Sequence, residues 1–181
     1  MHTAPASRTI RILAALAVVT AAGRAAQTDA CSLLSPAAIR QATGEQATNT
    51  KSTSQIAGKL RQSQCFYSLP TFTNSISVTL TSATGLRSDA AREMWERWFH
   101  RTDDKDEDSR KPESEEEEAA AKAAPVAGVG DEAYWVHSFV GNLYVRKGNR
   151  FLRISLGGKM TDDQRQARAK ALAAAALQRL R

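Results

Sequence analysis

The order of apolar and polar positions divides the chain into two strand-rich stretches, each followed by a helix. In the first, Ser35, Pro36 and Gly44 supply an N-cap, a proline at the first helical position and a glycine just past the end, which predicts a short helix. Thr48 to Ser54 is polar and β-tolerant, the least marked of the strands. Gln64 to Leu69 and Ser75 to Ser82 are better defined, with Ile76, Val78 and Leu80 in strict alternation. Ser88 then caps a predicted helix whose Ala91, Met94, Trp95, Trp98 and Phe99 recur at i, i+3, i+4, i+7 and i+8, an aromatic face that asks to be buried.

In the second stretch the turn residues predict register. Gly148-Asn149 reads as a two-residue hairpin turn that sets Val145 opposite Leu152 and Leu143 opposite Ile154. Gly141-Asn142 offers the same turn one strand earlier, placing Val140 opposite Leu143 and Phe139 opposite Tyr144. With these registers, the face away from Leu143, Val145, Leu152 and Ile154 carries Trp135, His137, Phe139, Tyr144, Arg146, Phe151 and Arg153. Aromatic planes interleaved with arginines suit stacking on sugars or holding anionic polymers; the same residues also suit a covered core with arginines at its rim. Thr161 to Gln164 is a capping box opening a C-terminal helix, with Ala169, Leu172, Ala173, Ala176, Leu177 and Leu180 along one stripe.

Ahead of these elements, Arg8 and Arg11 precede an uncharged apolar run from Ile12 to Ala22, and Gly23 and Ala25 place small residues at a cleavage site. That is the layout of a secretory signal peptide over residues 1–25. Such a run rises about 16 Å as a helix, roughly half a bilayer core, too short for a permanent span. The expected mature protein, residues 26–181, forms a single α+β domain without a transmembrane segment, in the periplasm or secreted. Cys31 and Cys65 are the two cysteines of the chain, and in an oxidising compartment they are expected to pair.

Charge changes the picture of the middle of the chain. Thr102 to Glu118 holds ten acids against Lys105, Arg110 and Lys111, a net of −7, which leaves +13 on the rest of a chain whose total is +6. Without the three arginines of the leader the body stands at +10. An acidic insert over 102–124, solvated and self-repelling, is expected within a basic domain, its second half capped as a short helix by Ser114 and Glu117.

Catalytic and metal signatures are missing from this pattern. Gly128-Val129-Gly130-Asp131-Glu132-Ala133 matches the dinucleotide spacing, but a strand follows it in place of a helix, and two acids would repel a pyrophosphate. Gly157-Gly158-Lys159 lacks the spaced upstream glycine of a phosphate loop. His100 and His137 stand without ligand spacing, and no G-x-S-x-G elbow occurs. No catalytic, metal or cofactor site is therefore expected, and the reading is a non-enzymatic binding or accessory module of the envelope. A small exported hydrolase with an unrecognised site is the alternative, to be favoured by a serine or aspartate clustered with His137 in a cleft. Nucleic acid is not an expected partner; an anionic envelope component or another exported protein is.

Four segments carry a resemblance: Asp29-Ala30-Cys31-Ser32-Leu33-Leu34-Ser35 running to Gly44, Gln64-Cys65-Phe66-Tyr67, Gly128 to Trp135, and Leu143 to Gly148. Together they resemble a broad set of small exported bacterial proteins of unknown function, with a C-x-L-L-T start, a second cysteine in an aromatic strand, a G-L-G-D-x-A-x-W turn and a V-x-K-G hairpin. Here Ser35 stands for the threonine and Val129 for the leucine, Thr28-Asp29-Ala30 replaces a lipid-anchor signal, and the acidic insert is added. The resemblance implies a PsbP-like fold: an antiparallel sheet of about six strands with helices on both faces.

Overall fold

Alternating strands and glycine turns combine into one antiparallel sheet, which has seven strands in the computed structural model, where residues 28–85, 88–100, 115, 120, 123–138 and 140–180 are described. Strands β1 (Asn49–Ala57), β2 (Leu60–Ser68), β3 (Ile76–Ala83), β4 (Ala124–Pro125), β5 (Glu132–Val136), β6 (Asn142–Lys147) and β7 (Arg150–Leu156) lie in the order β1-β2-β3-β7-β6-β5-β4. Helices α1 (Pro36–Thr43), α2 (Ala90–Phe99) and α3 (Asp162–Arg179) pack on this sheet to make an α+β fold. The predicted leader, Phe139 and the capping box at Ser114 and Glu117 lie outside the described residues.

Helix ends follow the predicted chemistry with one shift. The Ser35 hydroxyl accepts from the Ala38 amide, Gly44 closes α1 with φ of 81°, and Thr161 and Gln164 form a reciprocal capping box on α3. At α2 the capping position falls to Asp89, one residue after the predicted Ser88, whose hydroxyl accepts weakly from Ala90.

Period-two alternation sends the strand side chains to two opposite layers. One layer packs Val78 and Leu80 of β3, Leu143 and Val145 of β6, and Leu152 and Ile154 of β7 against Ala169, Leu172, Ala173 and Ala176 of α3, with Ile39 of α1 beside them. In the other, Ala91, Trp95 and Trp98 of α2 cover Tyr144, Phe151 and Val136. Helices thus sit on both faces, but on the second face α2 lies over β3 and β7, with its rings reaching Tyr144 and Tyr134, and leaves the β1 and β2 side open.

The Gly148-Asn149 turn sets the predicted pairs Val145 with Leu152 and Leu143 with Ile154. The other predicted turn does not form. Val136 pairs with Asn142 and Trp135 with Leu143, so residues 137–141 make a longer loop and Gly141 lies within it. A Cβ on Gly141, whose φ is 65°, would stand 2.3 Å from the Trp135 ring, which packs against the backbone of this loop. This change of register moves Trp135 to the layer of Leu143, opposite to its predicted face. One strand exceeds the expected six, β4, where Ala124 and Pro125 pair with β5; the strand expected over Thr48 to Ser54 is present as β1 but runs on to Ala57 and turns through Gly58-Lys59 into β2. Ala124 and the buried Ala120, both placed in the insert from sequence, therefore belong to the sheet and to the aromatic layer.

A disulfide joins Cys31 to Cys65, tying the turn at Ala30–Ser32 to the centre of β2. Hydrogen bonds reinforce the tie. Ala30 N donates to Ser63 Oγ at 3.0 Å, the Tyr67 hydroxyl donates to Ala30 O at 3.2 Å, and the Asp29 carboxylate accepts from Ser52 and Ser63. Burial pushes the Tyr67 hydroxyl up to about 12, keeping it a proton donor at any physiological pH.

Candidate functional site

On the α2 face, the strand surface away from the helix is mostly polar, with Phe66 of β2 apolar and Thr81 of β3 itself buried. Gln62 and Gln64 of β2, Thr79 and Thr81 of β3 and Thr53 and Gln55 of β1 stand side by side, because Thr53 pairs with Gln64, Gln64 with Thr79 and Gln62 with Thr81. These residues floor a groove of about 300 Å³. Its wall is the edge of the aromatic layer: Trp98 from α2, with Phe151 and Tyr144 beneath it. Arg153 stands between floor and wall, since β7 places it beside Thr79 on one side and Tyr144 on the other.

The wall is rigid because its rings lock one another. Trp98 meets Tyr144 edge-on at 6.0 Å and Phe151 at 5.8 Å, while Phe99 stacks on Tyr134 at 4.6 Å. Behind it, Glu132 accepts from Trp95 Nε1 at 2.7 Å and from Arg146 Nε at 3.3 Å, and pairs with His100 at 3.1 Å. Burial alone would push the Glu132 carboxyl up, but these donors outweigh it and hold the group below its ordinary value. Burial pushes the Tyr144 hydroxyl well up and the Arg153 guanidinium down. On the floor, Gln55 Nε2 donates to Gln62 Oε1 and Gln64 Nε2 donates to Ser77 Oγ, which orients both amide groups.

Of the residues expected on one ligand face, Tyr144, Arg146, Phe151 and Arg153 do share a face. Arg146 is engaged with Glu132 and with Asp131 at 3.9 Å and does not line the groove, whereas Arg153 and the buried Tyr144 both do. Trp135 is buried on the opposite layer, where its Nε1 donates to Asp162 at 3.1 Å. His137 lies in the loop before β6 and contacts the same carboxylate at 3.1 Å. This is the aspartate–histidine pairing that would favour a hydrolase, yet both side chains are more than half exposed, at 63% and 52%, and neither lines the groove. Phe139 lies outside the described residues. Among the described residues no cluster of three His, Cys, Asp or Glu side chains could hold a metal ion.

The groove floor was visible in sequence only as the polar half of two alternating strands. Gln62 and Gln64 alternate with Ser63 and Cys65, and Thr79 and Thr81 flank Leu80, a pattern that states which face is wet but not what stands beside it. Comparison with protein-family models, curated proteins and solved structures finds no match to this chain.

Proposed function

We propose that this protein is an exported, non-catalytic binding module of the cell envelope, holding a hydroxyl-rich, saccharide-like ligand in the groove beside Trp98. The carrying observation is the lining: uncharged amide and hydroxyl side chains against a fixed aromatic wall, with one guanidinium at the junction. Oriented amides both donate to and accept from hydroxyls, and aromatic rings pack on the apolar faces of sugar rings. At about 300 Å³ the groove is at the small end of the range for ligand sites, suited to a short segment of a longer chain.

The address rests on separate support. A disulfide between Cys31 and Cys65, the leader-like arrangement over residues 1–25 and the lack of a membrane-crossing helix among the described residues are consistent with a periplasmic or extracellular protein. An antiparallel sheet between helices also suits the PsbP-like assignment, which belongs to the same reading. Ligand, partner and fold family stand together here as one proposal.

Titration of the disulfide-intact protein with envelope oligosaccharides, neutral and uronic-acid-containing, read by tryptophan fluorescence, tests it. Binding is expected to weaken at least tenfold in Gln62→Ala with Gln64→Ala, the loss of two oriented hydrogen-bonding groups. Equal affinity of the variant and the parent, or no fluorescence response to any saccharide, would overturn the assignment.

A further inference from the structure

The two edges of the sheet are finished differently. β4 is two residues long and ends in Pro125, a blunted edge. β1 is nine residues long, has no proline, and is exposed at every position. Its outward hydrogen-bonding groups can be identified. Thr84 N donates to Lys59 O at 2.9 Å, just beyond the Leu60–Ala83 pair, so Leu60 turns its own amide and carbonyl toward β1. Ala57, paired with Leu60, and every second residue before it thus bond to β2, while Thr50, Ser52, Ser54 and Ile56 direct theirs away from the sheet. Among the described residues no strand lies beyond β1.

We propose that this edge pairs with β1 of a second copy of the chain, antiparallel about a two-fold axis through Thr53, giving one continuous sheet. The strand is complementary to itself. The register centred on Thr53 pairs all nine residues, sets Ser52 opposite Ser54, where the outward groups lie, and sets Lys51 opposite Gln55. Lys51 is the one charge on the strand, in a body of about +10, and this register keeps it from facing its own copy. A foreign strand would need only the backbone groups; the matched side-chain order favours the chain itself. Because Lys51, Thr53 and Gln55 share the groove face, each groove floor would continue onto the second copy's Gln55 and Lys51. The pairing does not depend on what the groove binds.

Cross-linking and sedimentation test it in the disulfide-intact protein. Thr53 would face its own copy in a non-hydrogen-bonded pair about 4.5 Å apart, within disulfide reach. Thr53→Cys is expected to give a covalent dimer on mild oxidation, with the Cys31–Cys65 bond retained by mass mapping. Gln55→Cys, on the same face but roughly 13 Å from its copy, is expected to remain uncross-linked. The parent should sediment as a dimer and Ser54→Pro, which removes an outward amide, as a monomer with an unchanged circular dichroism spectrum. A parent that stays monomeric at millimolar concentration, or equal cross-linking of the two cysteine variants, would overturn the proposal.

Discussion

Replacing Cys31 and Cys65 together by alanine is expected to destabilise the protein chiefly through its unfolded chain. The bond spans a sequence separation of 34, and closing a loop of that length removes about 4 kcal/mol of chain entropy from the unfolded ensemble at 25 °C. The native tie survives in part. Ala30 N on Ser63, the Tyr67 hydroxyl on Ala30 and Cys31 carbonyls, and Asp29 on Ser52 all remain without the sulfurs. Cys65 is fully buried, so its lost sulfur adds a small cavity costing about 1 kcal/mol more. At roughly 2–4 °C per kcal/mol for a domain of this size, the melting temperature should fall by about 8–20 °C. Urea unfolding followed by circular dichroism and tryptophan fluorescence should also show a larger m value, because an uncross-linked unfolded chain exposes more surface. A fall of less than about 3 °C, against the range that loop entropy requires, would refute the reasoning. A large fall with an unchanged m value would move the effect from the unfolded chain to native packing around residues 29–31.

Glu132 makes stability depend on acid. Its carboxyl titrates below the ordinary value of 4.5, so its contribution is present above that value and is lost as pH falls through the lower folded one. Melting temperatures measured from about pH 5 down to about pH 3 should fall less steeply in Glu132→Gln than in the parent, and parallel curves would refute this. Gly141→Ala places a methyl 2.3 Å from the Trp135 ring at a φ of 65°, and should cost about 2–4 kcal/mol with a change in tryptophan emission. A variant as stable as the parent would show that the loop after β5 can yield.

What the chain discloses about its fold depends on whether a residue's partner is near in sequence. Caps, turns and alternation are local, so α1, α3 and the Gly148-Asn149 hairpin are legible from Ser35, Thr161 and the residues around them. β1 is hard to read because a nine-residue edge strand exposed at every position has no hydrophobic alternation to show. Gly141-Asn142 misleads for a different reason. The dipeptide suits a hairpin, but the alternative register buries Trp135 against the α3 layer and bonds its Nε1 to Asp162, a gain that depends on residues 27 positions away. The same slip removes Trp135 from the expected ligand face, since an odd change of register sends a side chain to the opposite layer. Groove and wall come from strands and a helix that only the folded sheet brings together.

The groove follows from a mismatch of areas. Seven strands spaced at about 4.8 Å make a sheet roughly 29 Å wide, and a helix with its side chains covers about 10 Å of that. On one face α3 and α1 lie together with the turn around Cys31, whereas on the other the described residues supply α2 and little else. The β1 and β2 side of that face must then be mostly polar, or the sheet would present an apolar patch to water. Wetness alone does not dictate which polar residues serve. In a chain where 24% of residues are charged, Thr53, Gln55, Gln62, Gln64, Thr79 and Thr81 are all neutral, and Lys51 at the margin is the charge on the three strands' shared face. Neutral groups that both donate and accept suit a neutral partner that does the same, and Trp98 stands where the apolar side of such a partner would lie.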